Sequence, residues 1–232
     1  MATRSGTGQP TSRNSILIAV GIAAVVAIAL VAGALLLRDD GGSSAAAVDV
    51  SGIPQEGSLL GDPNASVRLI EYADMQCPFC AEYSERMVPT LVNDYVGSGK
   101  VNADFRVVSI LGADSEKAAR YVLAAGKQNL MWEYQQELFR NQGLENSGWV
   151  TDEVLRKTAA AVPGLDVDRL FADAESADVT AQAHENMQGF QEAGAQGTPT
   201  LLVQIGEEDP YMIQVGLDPA ALSAALDDAL GG

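Results

Sequence analysis

The sequence predicts an α/β fold. A strand–helix–strand unit and a strand–strand–helix unit share one central sheet, with a helical domain inserted between them and one apolar helix in front. Three observations carry that expectation. Apolar runs of strand length alternate with stretches of helical period. A long run of helical character, from about Ser115 to Ala195, separates two groups of strands. Helices flank those strands on both sides in sequence, which lets them cover both faces of one sheet.

Residues 1–15 are polar and short and read as a cytoplasmic stub. Ile16 to Leu37 is a run of 22 residues without a charge, long enough to cross a bilayer as one helix. The apolar stretch of a cleaved signal is typically ~7–15 residues, so a retained anchor is the expectation; the rival is cleavage near Ala45-Ala46-Ala47. Arg4 and Arg13 precede the run, and Asp39 and Asp40 follow it. The positive-inside rule then puts the N-terminus in the cytoplasm and the remaining chain outside, as a single-pass protein of the cell membrane. Residues 38–58 are rich in Gly, Ser, Ala and Asp, which suits a flexible tether. The folded domain is expected over 59–232.

Within that domain Val67–Tyr72 is the first strand candidate. The run Phe79–Tyr95 follows as a helix, with Tyr83, Met87, Leu91 and Tyr95 at fourfold spacing on one buried stripe. Pro89 lies inside it and should bend it. Val101–Ile110 reads as the second strand, alternating through Val101, Ala103, Phe105 and Val107. The helical block, about 115–195, contains Ala118–Ala125, Trp132–Asn141, Val154–Val162 and Val167–Ala193. Leu201–Ile205 and Tyr211–Val215 then form two strands joined by the acidic turn at 206–210. The last helix, Pro219–Leu230, places Leu222, Ala225, Leu226 and Ala229 on one face.

Composition narrows the function classes. An apolar fraction of 47% with 19% charged residues suits a globular domain rather than a disordered chain. The net charge is −17, and the first 38 residues contain no acid. A surface that acidic repels phosphate backbones, so nucleic acid is not an expected partner.

The chain has two cysteines, in Cys77-Pro78-Phe79-Cys80. That spacing lets both sulfurs meet across the first turn of a helix. Pro78 fits the first helical position, where its missing N–H is not needed, and it biases Cys77 away from helical torsions. Cys77 is then an exposed cap residue at the positive end of the helix dipole, which favours its thiolate. Cys80 lies one turn inside. The asymmetry makes Cys77 the nucleophile and Cys80 the residue that resolves a mixed disulfide. Zinc needs about four ligands; two cysteines and one distant histidine, His184, do not supply them. A purely structural bridge remains as the other reading, although so short a loop removes little entropy from the unfolded chain.

Two motifs carry a resemblance. The stretch from Glu71 through Asp74 and Met75 to Cys80, with Gly197-Thr198-Pro199-Thr200, resembles the DsbA-like branch of the thioredoxin-fold oxidoreductases. The similarity runs from about Leu59 to Leu230. The long gap from Cys80 to Pro199 matches the helical insertion of that branch. The resemblance implies a thioredoxin fold with an inserted helical domain. It implies that Pro199 is a cis-proline facing the sulfurs, and that Thr198 offers backbone hydrogen bonds to an extended substrate. Glu71 matches the family's buried acid beneath the disulfide. It shares strand parity with Leu69 and Ala73, so burial would raise its pKa and let it relay a proton for Cys80. Arg106 is its suggested counter-charge.

Phe79 departs from the family, whose strongly oxidising members carry a histidine there. Met75 and Phe79 are expected to form an apolar collar for unfolded substrates. Trp132, Tyr134 and Phe139 read as core or groove wall, Asp74 as a turn residue and His184 as a surface residue. The implied activity is an extracytoplasmic thiol–disulfide oxidoreductase that introduces disulfides into exported proteins. It needs no cofactor beyond its redox-active disulfide. Its implied partners are reduced exported proteins and a quinone-linked membrane thiol oxidase, DsbB-like or VKOR-like, that reoxidises it. A monomer is expected. A reductase or isomerase with the same residues, and a non-catalytic exported binding domain with an inert bridge, are the alternatives.

Overall fold

The computed structural model describes residues 47–231. The stub, the apolar segment Ile16–Leu37 and the first part of the tether lie outside the described residues. Among those described, no helix is long and apolar enough to cross a membrane.

A six-stranded sheet runs through the domain in the order β1-β2-β4-β3-β5-β6. Its strands are β1 (Gln55–Glu56), β2 (Leu59–Leu60), β3 (Val67–Ala73), β4 (Val101–Val107), β5 (Thr200–Ile205) and β6 (Tyr211–Ile213). β3 and β4 are parallel and form the centre; the other neighbouring pairs are antiparallel. The βαβ and ββα units of the expectation are both present. The register aligns Glu71 with Phe105 on one side and Leu201 on the other.

Strand parity splits the interior. Leu69, Ala73, Ala103, Phe105, Leu201 and Val203 face the main core. Ile70, Tyr72 and Leu202 face the opposite way, onto a smaller cluster with Val108 and Phe190. The main core is closed by α1 (Pro78–Arg86), by α4 (Met131–Arg140), and by α8 (Pro219–Gly231) through Leu222 and Leu226. The helical insertion consists of α3 (Ala113–Gly126), α4, α5 (Asp152–Ala160), α6 (Val167–Asp173) and α7 (Ala177–Glu192). Phe190 of α7 covers the smaller face.

Several boundaries differ from the sequence reading. The sheet begins before residue 59: Val50 is buried and Gln55–Glu56 is already a strand, so residues 47–58 belong to the domain. Two-residue strands are too short to show a period. The Phe79–Tyr95 helix is interrupted at Met87, continues as α2 (Val88–Thr90), and widens into a π-helical turn at Leu91–Val96. Pro89 has no N–H with which to continue the α-helical ladder. The Val167–Ala193 run is two helices, because the Ser176 side chain accepts from Val179 N–H and starts α7. β4 stops at Val107 and β6 at Ile213, short of Ile110 and Val215.

A candidate active site at the Cys77–Cys80 pair

Cys77 caps α1 with extended torsions, φ −73° and ψ 119°, and Pro78 opens the helix. Both cysteines are free thiols. Cys77 is less open than a bare cap residue would be, at 5% exposure, and Cys80 is fully buried. The reason is the segment before β5. The Thr198–Pro199 peptide bond is cis, and the Cys77 thiol donates to the Thr198 carbonyl at 3.1 Å.

The two thiols are electrostatically opposite. That of Cys77 is pulled down to about 6, first by a hydrogen bond with Cys80. Burial opposes this; the Thr198 side chain and the N–H groups of Cys80 and Phe79 add to it. The Cys80 thiol is pushed well above its ordinary value, first by burial and then by the hydrogen bond and charge of Cys77. Cys77 can therefore be a thiolate at neutral pH while Cys80 holds its proton. The Cys77 thiolate of such a pair can attack an external disulfide, and in the oxidised pair the Cys77 sulfur can be attacked by an external thiolate.

Glu71 lies on β3, on the face beneath α1. It is buried, its Oε1 has no hydrogen-bond partner, and burial pushes its carboxyl up to about 8. Its charge also acts on Cys80 and on the buried phenol of Tyr83, one turn further along α1. Arg106 is not its counter-charge. Glu71 pairs with Phe105 across the sheet and Arg106 pairs with Tyr72, so the arginine projects from the other face. There it bonds Asp104 at 2.9 Å and the Tyr72 hydroxyl at 3.0 Å.

Phe79 is 61% exposed beside the cysteines. With Thr198, Pro199, Ile213, Val215 and Leu217 it lines a groove of about 230 Å³. Met75 does not join it. Met75 is fully buried, because the turn before Cys77 folds that side chain into the core; of the two residues expected at the collar, only Phe79 is exposed beside the sulfurs. Trp132, Tyr134 and Phe139 are core residues, and His184 is exposed on α7. Among the described residues no group of three metal-ligating side chains comes together.

Asp74 is a turn residue, and more. Its carboxylate accepts from Gln76 N–H at 2.8 Å, Ile110 N–H at 2.8 Å, Leu111 N–H at 3.1 Å and the Ser115 hydroxyl at 2.6 Å. The Asp74 carbonyl receives the Cys77 N–H at 3.0 Å. Gln76 adds bonds to Leu111 O, Ser115 and Asn146. Gln142 donates to the carbonyls of Met75 and Cys77. Sequence reasoning missed this scaffold. The local turn was readable from an aspartate three residues before the cysteine; partners on distant loops were not.

The fold and the paired thiols at a helix N-terminus, faced by a cis-proline, define a thioredoxin-fold dithiol protein. The family model described as Thioredoxin matches residues 55–228, and the chain belongs to that family. Disulfide bond formation protein D of Bacillus subtilis is 25% identical over 147 residues, which is 62% of this chain and 66% of that protein. The oxidised structure of BdbD from Bacillus subtilis superposes with a TM-score of 0.66 at 22% identity, covering 78% of this chain and 98% of that one. A thioredoxin-like oxidoreductase from Silicibacter pomeroyi does so with a TM-score of 0.59 at 28% identity, covering 75% and 92%.

Proposed function

We propose that this thiol–disulfide oxidoreductase works as an oxidase that introduces disulfides into exported proteins. One observation carries the reading: Cys77 caps the N-terminus of α1 against the cis Thr198–Pro199 segment while Cys80 is fully buried one turn inside, which favours a thiolate at Cys77 and a retained proton at Cys80. A low pKa on the attacking cysteine stabilises the reduced enzyme, and a stabilised reduced form makes the oxidised form a good oxidant. The name of the Bacillus subtilis relative points the same way.

In the proposed cycle a substrate thiolate attacks the Cys77 sulfur of the oxidised pair. The Cys77–Cys80 bond breaks, and Cys80 leaves with the electron pair and takes a proton. Glu71, buried on the strand beneath and able to hold a proton near neutrality, would supply it. The substrate's second thiolate then attacks its own sulfur in the mixed disulfide. Cys77 departs as a thiolate, helped by its acidity. The substrate has lost two electrons and gained a disulfide, and the enzyme is a dithiol. A quinone-linked membrane thiol oxidase, DsbB-like or VKOR-like, would return it to the disulfide. Thr198 and the groove beside Phe79 would receive an extended substrate by main-chain pairing. The Ile16–Leu37 segment would hold the domain at the outer face of the membrane.

Oxidative refolding of a reduced, disulfide-requiring protein tests the direction. The oxidised chain should restore activity stoichiometrically. A reductase would leave the dithiol substrate reduced. Cys80→Ser should accumulate mixed disulfides in cells; their absence would favour an inert binding domain.

A further inference from the structure

The loop between α4 and α5 returns to the redox turn. We infer that Gln142 is a positioning residue for the thiol–disulfide reaction, holding the Met75 and Cys77 carbonyls so that the Cys77 sulfur stays against the helix N-terminus. The side-chain amide donates to Met75 O at 2.8 Å and to Cys77 O at 3.2 Å. The Cys77 carbonyl is also the first acceptor of α1, taking N–H bonds from Cys80 at 3.1 Å and Ala81 at 3.2 Å. Two carbonyls pointing at one spot repel unless a donor lies between them. A primary amide on a long stem has two N–H groups in one plane and satisfies both.

The loop that carries Gln142 is built to hold its shape. A Cβ on Gly143 would lie 2.5 Å from Trp149 Cβ, so only glycine lets the loop fold back there. The Asn146 N–H donates to Gln76 Oε1 at 2.7 Å, and Asn146 takes a left-handed φ of 54°. The Gly148 N–H donates to Asp114 at 2.9 Å, which ties the loop to the first turn of α3. The brace therefore belongs to the helical insertion and acts on the thioredoxin-fold turn. Gln142 does not reach the sulfurs; it acts through the cap torsions of Cys77. Those torsions decide whether the N–H groups of Phe79 and Cys80 point at the thiolate.

The groups facing the Cys77 sulfur are Cys80 on its own helix and Thr198 on the facing segment; Glu71 beneath acts on Cys80. None of these is altered by changing Gln142. The inference rests on the oxidoreductase reading, and its test separates the two. The reduced full-length chain is titrated by thiolate ultraviolet absorbance, as wild type and as Gln142→Met, which keeps length and loses the donors. In Gln142→Met the Cys77 midpoint should rise by about one pH unit, leaving about tenfold less thiolate below it. Gln142→Glu, which sets a carboxylate against the two carbonyls, should raise it at least as far. Midpoints unchanged in both, whatever happens to thermal stability, would reduce Gln142 to a packing residue and overturn the inference. An ordinary midpoint in the wild type would instead strike at the oxidoreductase reading. Should Gln142→Met not fold, Gln142→Ala, which removes atoms and adds none, carries the same comparison.

Discussion

Cys77 and Glu71 put opposite demands on pH. The Cys77 thiolate is favoured above about 6, so alkylation of the reduced chain should reach half its maximal rate near that pH, with Cys80 silent. A rate that climbs only towards the ordinary thiol range would remove the basis for an acidic nucleophile. Glu71 behaves in the reverse sense. Its carboxyl is raised from an ordinary 4.5 to about 8 by burial. Below the lower value both folded and unfolded chains hold the proton and nothing is lost. Between the two values the unfolded chain ionises while the folded chain stays protonated, and stability falls by about 1.4 kcal/mol per pH unit. Above about 8 the loss is complete. Glu71→Gln should therefore gain stability over wild type as pH rises from about 5 to about 8. Denaturant unfolding of the oxidised forms, which removes thiol titration from the comparison, would show this. An equal gap at both pH values would mean that Glu71 is not held neutral. The cysteines and Glu71 were readable from spacing and strand parity. Met75 and Arg106 were misplaced for one reason: parity within β3 and β4, and the inward turn at 74–77, decide facing, and a residue's chemistry does not.

At the scale of elements, α7 docks on the smaller face of the sheet through a close approach. A Cβ on Gly189 would lie 2.6 Å from the Tyr72 hydroxyl. That hydroxyl is held by Arg106, which is in turn held by Asp104. The phenol sits on a rigid ring and cannot swing aside as a lysine would. Replacing a helical glycine with alanine gains about 1 kcal/mol in propensity, while overpacking costs about 1–3 kcal/mol. Gly189→Ala should therefore destabilise by roughly 1 kcal/mol net. In a Tyr72→Phe background, where the clashing oxygen is gone, the same substitution should be neutral or stabilising. Equal effects in both backgrounds would show that the contact is not what limits α7. Long periodic elements such as β3, β4 and α8 were evident from sequence. The break at Ser176 was not, because the apolar period continues across it and only the serine cap divides the run. The strands β1 and β2 were not, because two residues carry no period.

For the molecule as a whole, the two-residue strands carry the sheet back to residue 55, ahead of the expected start at 59. Residues 47–58 looked like tether by composition, yet they are fastened at several points. Val50 is buried in the main core. The Val48 backbone and the Gln136 side chain exchange hydrogen bonds, at 2.9 Å and 3.4 Å. Gln55 accepts from Trp132 N–H at 3.1 Å and donates to Glu133 at 2.8 Å. The Ser58 carbonyl accepts from the Trp132 indole at 2.9 Å and from Phe105 N–H at 3.1 Å. This strap joins the start of the domain to α4 of the insertion and to β4 of the sheet, so insertion and sheet share one stabilising element. A chain cut to begin at residue 47 should fold and keep its exchange activity. One cut to begin at residue 59 loses a buried valine, worth about 1.5–3 kcal/mol, and leaves the Trp132 N–H groups without their acceptors. A total loss of at least about 3 kcal/mol lowers the unfolding midpoint of a domain this size by roughly 6–12 °C. Calorimetry on the two truncations decides the matter: coincident midpoints would return residues 47–58 to the status of a tether, and a drop of the stated size would place them in the fold.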